Sequence, residues 1–225
     1  MKHSQEKAGE IAIIIEVILG AFLPIGLNYG AKLMPQLQFL AYITIISSLL
    51  FLAITLYRRE FSQLYNKKVI GWLVLYSLFI AVIPYGIITY ATRYTSAMET
   101  VLLTQSEAVY AMVLAWLILG EKLSVNKTLG IICILFANTA VLYNGNLNLE
   151  PAHVAIFLAP IIFVFGNMIA KRLQSKGMGW APILLFRNVF GGIILLIIAQ
   201  TVEGLQMPPS NMWLFLAVFS VLIFG

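Results

Sequence analysis

Long apolar stretches alternate with short polar knots along the whole of this chain. The apolar runs cover about residues 9–30, 37–57, 69–92, 97–119, 127–144, 152–171 and 180–201, and an eighth opens near Asn211. Each complete run has the length a helix needs to cross roughly 30 Å of hydrocarbon at 1.5 Å per residue. The runs are continuous rather than alternating with a period of two, so they predict helices and not the strands of a membrane barrel. Turn-forming pieces stand between them: Tyr29-Gly30, Asn144-Gly145-Asn146, Lys176-Gly177-Met178-Gly179 and Pro208-Pro209-Ser210. The pattern predicts an all-α polytopic membrane protein.

Composition removes the soluble alternative. Hydrophobic residues make up 61% of the 225 and charged ones 10%, and all nine acids are glutamate. The polar segment Met1 to Glu10 is followed by an apolar run too long for the core of a cleaved signal, so the first helix reads as an anchor that stays. Cys133 is the single cysteine and has no partner for a disulfide or a thiolate metal site. The net charge of +5 is scattered in small groups rather than gathered in one stripe, which argues against nucleic acid as a partner.

Topology accounts for the charges better. Of the 14 cations, 11 fall in the N-terminal tail and alternate loops: Lys2, Lys7, Arg58, Arg59, Lys67, Lys68, Lys122, Lys127, Lys171, Arg172 and Lys176. Lys32 and Arg93 take the opposite loops, and Arg187 lies inside the seventh span. The positive-inside rule then places the N-terminus in the cytoplasm of a multi-pass protein of the cytoplasmic membrane.

Laying the spans side by side reveals a weak duplication. Gly71-Trp72-Leu73-Val74-Leu75 corresponds to Met212-Trp213-Leu214-Phe215-Leu216, and Tyr42, seven residues after Pro35, corresponds to Arg187, seven after Trp180. The first unit, residues 1–146, holds five helices; an odd number threads the second unit, residues 147–225, in the opposite orientation. Inverted repeats of this kind are the architecture of many secondary transporters; two matched units would need roughly 60 further residues, so the chain is expected to be a truncated product or fragment, ending in the third helix of its second unit and not expected to transport unaided.

A few residues carry candidate chemistry. Glu107 sits halfway along the fourth span, where a carboxylate costs about 2.5 to 3.5 kcal/mol to insert and therefore usually faces a protein interior or a water-filled path. It is expected to bind a substrate amine or to carry a proton; the bland reading is a hydrogen-bonded bridge between helices. Glu16 and Arg187 each lie about seven residues, or roughly 10 Å, from the cytoplasmic end of their helices and are placed to pair, as an inner gate or as a fixed staple. Glu121, at a helix end, is expected to face the loop.

Helix interruptions are expected at Pro24 in the first span, Pro84 in the third and Pro160 in the sixth. Such breaks free backbone groups that must line a cavity or find partners on neighbouring helices. Asn28 and Asn167, near the first and last of these, join the candidate site. Tyr42, Tyr85 and Tyr110 are candidate aromatic walls for an organic cargo, against the commoner reading of packing. Trp72, Trp180 and Trp213 fit interface anchors at span ends.

The run Glu107-Ala108-Val109-Tyr110-Ala111-Met112-Val113-Leu114-Ala115-Trp116-Leu117-Ile118-Leu119-Gly120-Glu121-Lys122-Leu123 resembles the fourth helix of EamA-type transporters in the drug/metabolite transporter superfamily. That helix typically carries Glu-Pro, then small and aromatic residues, then Leu-Gly-Glu and a basic residue. Ala108 stands where the proline is usual, so the resemblance does not carry a proline kink to this chain. The arginine usual in the second helix of a repeat is matched by Arg187, while Tyr42 occupies the equivalent place in the first. The resemblance implies five-plus-five inverted helices around a central cavity, alternating access, and small organic solutes as cargo.

A secondary transporter is therefore the expected function, with a small-molecule substrate and the lipid bilayer as partners. Proton coupling and export fit Glu107, and so does a counter-ion role in a uniporter. No cofactor, metal or nucleotide is called for, and no Gly-rich loop with lysine offers an ATP site. A homodimer is compatible with the pattern. The rival readings are a membrane scaffold and an intramembrane enzyme; the latter is disfavoured by the absence of aspartate and by His3 and His153 lying outside the apolar runs.

Overall fold

A computed structural model describes residues 22–120, 124–143 and 150–224, together with Ile15, residues 18–20 and Lys122. Glu16 and Glu121 fall outside the described residues. Among the described residues, eight long helical segments follow one another: α1 (Phe22–Ala31), α2 (Gln36–Tyr57), α3 (Lys67–Ala91), α4 (Ala97–Ile118), α5 (Val125–Leu142), α6 (Pro151–Ser175), α7 (Trp180–Glu203) and α8 (Trp213–Phe224). No strand occurs among the described residues. Each of α2 to α7 is long and apolar enough to cross a membrane, so the protein is a polytopic helical membrane protein.

Local sequence sets where the helices start. Ser96 and Glu99 open α4 with a capping box: the Ser96 N–H donates to Glu99 Oε2 at 2.7 Å and the Glu99 N–H to Ser96 Oγ at 3.2 Å. Asn66 accepts from the Lys68 N–H at 3.1 Å to start α3. At the far end of α4, Gly120 takes φ 66°, a left-handed turn that glycine adopts without steric cost.

Among the described residues three helices are broken, two at a proline and one without. In α3 the turn Leu78–Val82 widens to a π-helix, with the Ile83 N–H donating to the Leu78 carbonyl, just ahead of Pro84. Proline has no N–H and crowds the carbonyl four residues back, and the wider turn relieves both problems. In α6, Pro160, again without an N–H, separates Pro151–Leu158 from Pro160–Ser175 at a single turn residue, Ala159, with no widened turn. α4 breaks at Gln105 with no proline at all, between Ala97–Thr104 and Ser106–Leu119. There the Gln105 N–H reaches only three residues back, to Leu102, and the Thr104 hydroxyl bonds the carbonyls of Thr100 and Val101, both at 2.9 Å. Such back-bonding bends a helix.

α7 packs chiefly along α2 and α3. Its middle lies on α2 through Gly192 and on the π turn of α3 through Gly191; Gly166 brings α6 equally close to Ile80. A methyl group on Gly192 would stand 2.5 Å from Ile45 Cγ1 and 3.3 Å from the Ile45 backbone nitrogen. Gly192→Ala is therefore expected to destabilise by about 1 to 3 kcal/mol through overpacking. Gly71→Ala, whose methyl would meet open space, is expected to be neutral or to stabilise by up to ~1 kcal/mol. Thermal unfolding of the two variants in detergent compares them directly.

Apolar side chains gather in three clusters. One joins α2, α7 and α8 around Phe39, Leu40, Ile43, Leu195 and Leu216; another joins the first half of α3 to α6 and α7 around Leu73, Leu173 and Ile183. The smallest, Ala91, Leu103 and Ile156, ties the final part of α3 to the first halves of α4 and α6. α5 lies at the edge and exposes Leu129, Ile132 and Phe136, as a lipid-facing helix does.

Candidate substrate-binding site

The interruptions of α4 and α6 fall side by side. Ala97–Thr104 packs on Pro151–Leu158, and Ser106–Leu119 packs on Pro160–Ser175, so half-helix meets half-helix on either side of one hinge level. Pro160 offers no N–H to its own helix, and α4 supplies donors beside the gap. Ser106 Oγ and the Tyr110 hydroxyl both donate to the Phe157 carbonyl, at 2.8 and 3.0 Å, while the Tyr110 ring lies edge-on to Phe157 at 5.8 Å. The break at Pro160 is thus held by a neighbouring helix, as a bilayer requires.

Glu107 stands within the same turn of α4 as Ser106 and Tyr110. It is half-buried, and Asn167 Nδ2 on α6 donates to its Oε1 at 3.3 Å. Asn167 is itself exposed, so this pair sits at an open side of the bundle. One turn before Asn167, Phe163 meets the Tyr85 ring edge-on at 5.0 Å; Tyr85 follows Pro84 at the end of the widened part of α3. Glu107 and Tyr110 thus follow the break in α4, Tyr110 reaching the break in α6 at Phe157, while Asn167 lies about two turns beyond Pro160 and Tyr85, after Pro84, meets α6 at Phe163. The arrangement provides a carboxylate, an amide and aromatic faces on three bent helices.

The other candidates stand elsewhere. Tyr42 lies edge-on to Trp213 at 6.1 Å, and its hydroxyl donates to the Gln206 carbonyl at 3.4 Å. Arg187 Nε donates to Asn188 Oδ1 at 2.8 Å, and the fully buried Asn188 donates in turn to Ser47 Oγ at 2.8 Å, joining α7 to α2. The expected partner of Arg187, Glu16, is outside the described residues. α1 is helical on both sides of Pro24 from Phe22 to Ala31, and the side chains of Pro24 and Asn28 are not described. Trp72 and Trp180 lie beneath cations, Arg172 at 4.2 Å and Arg58 at 5.0 Å from their ring centres.

One polar cluster escaped the sequence reading. Glu203, the last residue of α7, has a side chain 5% exposed and accepts from the Leu37 and Gln38 N–H groups at 3.1 and 3.3 Å, capping α2. Its other oxygen is ion-paired with Arg93, whose Nε also donates to Gln36 Oε1 at 3.1 Å. Gln38 donates to the Gly204 carbonyl and accepts from the Gln206 N–H at 2.8 Å. The alternation of loops already set Arg93 and the end of the seventh span on one side, which was the available signal. Among the described residues no group of three His, Cys, Asp or Glu is placed to hold a metal ion.

Among the described residues, six apolar helices of membrane-crossing length, three of them interrupted, define a polytopic membrane protein as the class. The EamA-like transporter family matches residues 7–143, more than half of the chain, and the chain belongs to that family. It is similar to the "Uncharacterized transporter YoaV" of Bacillus subtilis (strain 168), 24% identical over 220 residues that cover 96% of this chain and 73% of that protein. Family and relative alike point to a transporter rather than an enzyme.

Proposed function

We propose that this protein is a secondary transporter that moves a small organic solute across the cytoplasmic membrane by alternating access, with Glu107 as the carboxylate that takes an amine group of the cargo or a coupling proton. The observation that carries this reading is the pairing of Glu107, two residues past the break in α4, with Asn167, about two turns past the break in α6, beside the contacts of Ser106 and Tyr110 with Phe157 at that break. Half-helices that pair on either side of one hinge level can swing without separating inside each half, which is the motion alternating access needs. The N-terminus is placed in the cytoplasm, and the units at residues 1–146 and 147–225 are two inverted copies of one five-helix plan. Arg58, Arg172 and Lys176 at one end of the bundle, against Arg93 at the other, support that orientation.

Flux into proteoliposomes carrying the longest product of the gene tests the proposal. Uptake or release of a screened metabolite is expected to saturate with concentration, to show exchange between labelled and unlabelled solute, and to respond to an imposed pH gradient if a proton is coupled. Flux that rises linearly without saturation would mean a channel, and its absence for every solute screened would favour a scaffold.

A further inference from the structure

Directly beside this site, a cleft of about 700 Å³ runs between the second half of α3 and the first half of α6. Its size lies in the range of small-molecule pockets. The walls are small or apolar, with Gly86 and Ala91 on α3 and Ala155 on α6; Tyr90 and Tyr94 stand along one side and Glu150 at the start of the other. Space at Gly86 is real, since a methyl group built there meets no atom within 4 Å. The cleft reaches the functional level because Gly86 adjoins Tyr85 and Ala155 lies two residues before Phe157, whose carbonyl holds Ser106 and Tyr110.

Charge decides what fits. Arg93 comes within 5.4 Å of the Tyr90 ring centre, but its guanidinium is already met by Glu203 and Gln36, so it neither attracts an anion nor strongly repels a cation. Glu150 is exposed and is the ionic group that lines the cleft, and the exposed ring of Tyr94 offers a π-face to a positive charge beside Tyr90, which already carries Arg93 on one face. We propose that this cleft is a binding vestibule for an organic cation with an aromatic or aliphatic body, the apolar part seated against Gly86, Ala91 and Ala155 and the cationic head toward Glu150 and the two tyrosines. The proposal deepens the transporter reading by naming the class of cargo and the place it occupies before it meets Glu107. A lipid acyl chain is the other natural tenant of an apolar cleft, but it makes no use of the carboxylate.

Binding, read without transport, tests it. Radiolabelled benzyltrimethylammonium is equilibrated with the 225-residue chain in lipid nanodiscs, with neopentylbenzene, its uncharged carbon isostere, as competitor. Saturable binding is expected that the isostere does not displace. Gly86→Leu, which fills the open space, is expected to weaken binding by at least ~10-fold, and Glu150→Gln by about threefold, the size of an exposed ionic contact. Ala155→Phe blocks the cleft from the α6 side, so the misfolding of one variant does not decide the matter. Unchanged binding in both filled variants, equal displacement by the isostere, or access gained only after a co-purified phospholipid is stripped would each overturn the proposal. If Glu107→Gln abolishes binding while the filled variants do not, the cation sits at Glu107 and the vestibule is excluded, with the transporter reading intact. Binding that behaves as expected in a protein without flux would sink the transporter reading and leave the cleft.

Discussion

Glu203→Ala is expected to lower the unfolding midpoint in detergent by roughly 6 to 12 °C, the equivalent of about 3 kcal/mol for a chain of this size. The side chain is 5% exposed and does three things at once: it accepts from the Leu37 and Gln38 N–H groups and neutralises Arg93. Removing it strips the first turn of α2 of its cap, worth about 1 kcal/mol. It also leaves Arg93, 36% exposed, with only the amide oxygen of Gln36, and solvent at that exposure offsets part of the loss. Glu203→Gln keeps an acceptor for the backbone groups and gives up only the ion pair, so its cost should be about half as large. Arg93→Leu should fall near the glutamine variant. If alanine and glutamine at position 203 unfold at the same temperature, the backbone capping contributes nothing and the cluster is an ordinary surface ion pair.

That cluster also marks where the sequence stops being readable. Span positions follow from hydropathy alone, because a helix in a bilayer satisfies its own backbone and needs only length and apolar side chains. The breaks at Pro84 and Pro160 follow from a missing N–H, a property of a single residue. The break at Gln105 does not, since it arises from the Thr104 hydroxyl competing for carbonyls and from bonds three residues back, and threonine does this in many helices without breaking them. Ala108 in place of proline removed the family's usual reason for a kink there, and the break lies three residues earlier for a different reason. Glu107 was legible because a carboxylate in an apolar span is costly and therefore conspicuous. Its partner Asn167 was legible only as a polar residue near a break. Arg93 with Glu203, and Arg187 with Asn188 and Ser47, depend on which helices become neighbours, and one helix's hydropathy carries no information about that. Tyr42 and Tyr110 illustrate the same limit: both are tyrosines in apolar spans, but only one has a broken helix opposite it.

Glu107→Gln is expected to reduce solute flux by about 100-fold, a loss of roughly 3 kcal/mol that corresponds to an ionic contact with the cargo or the proton. The glutamine carbonyl can still accept from Asn167, so the helix contact survives and the unfolding midpoint should stay within about 2 °C of the parent. A fall in stability as large as that of Glu203→Ala would instead make Glu107 a structural bridge. Exchange measurements separate its two functional readings. If Glu107 carries only the coupling proton, the glutamine variant loses accumulation driven by a pH gradient but still exchanges labelled for unlabelled solute. If it binds the amine of the cargo, exchange disappears as well. Asn167→Leu keeps the charge but removes the amide that orients it, and a loss of about tenfold is expected, the usual worth of a hydrogen bond to a charged group. A loss confined to the apparent affinity would mean that Asn167 orients the carboxylate in the resting state only. An equal fall in maximal rate would mean that the contact between α4 and α6 must hold through the turnover, while the half-helices on either side of Gln105 and Pro160 change their angle.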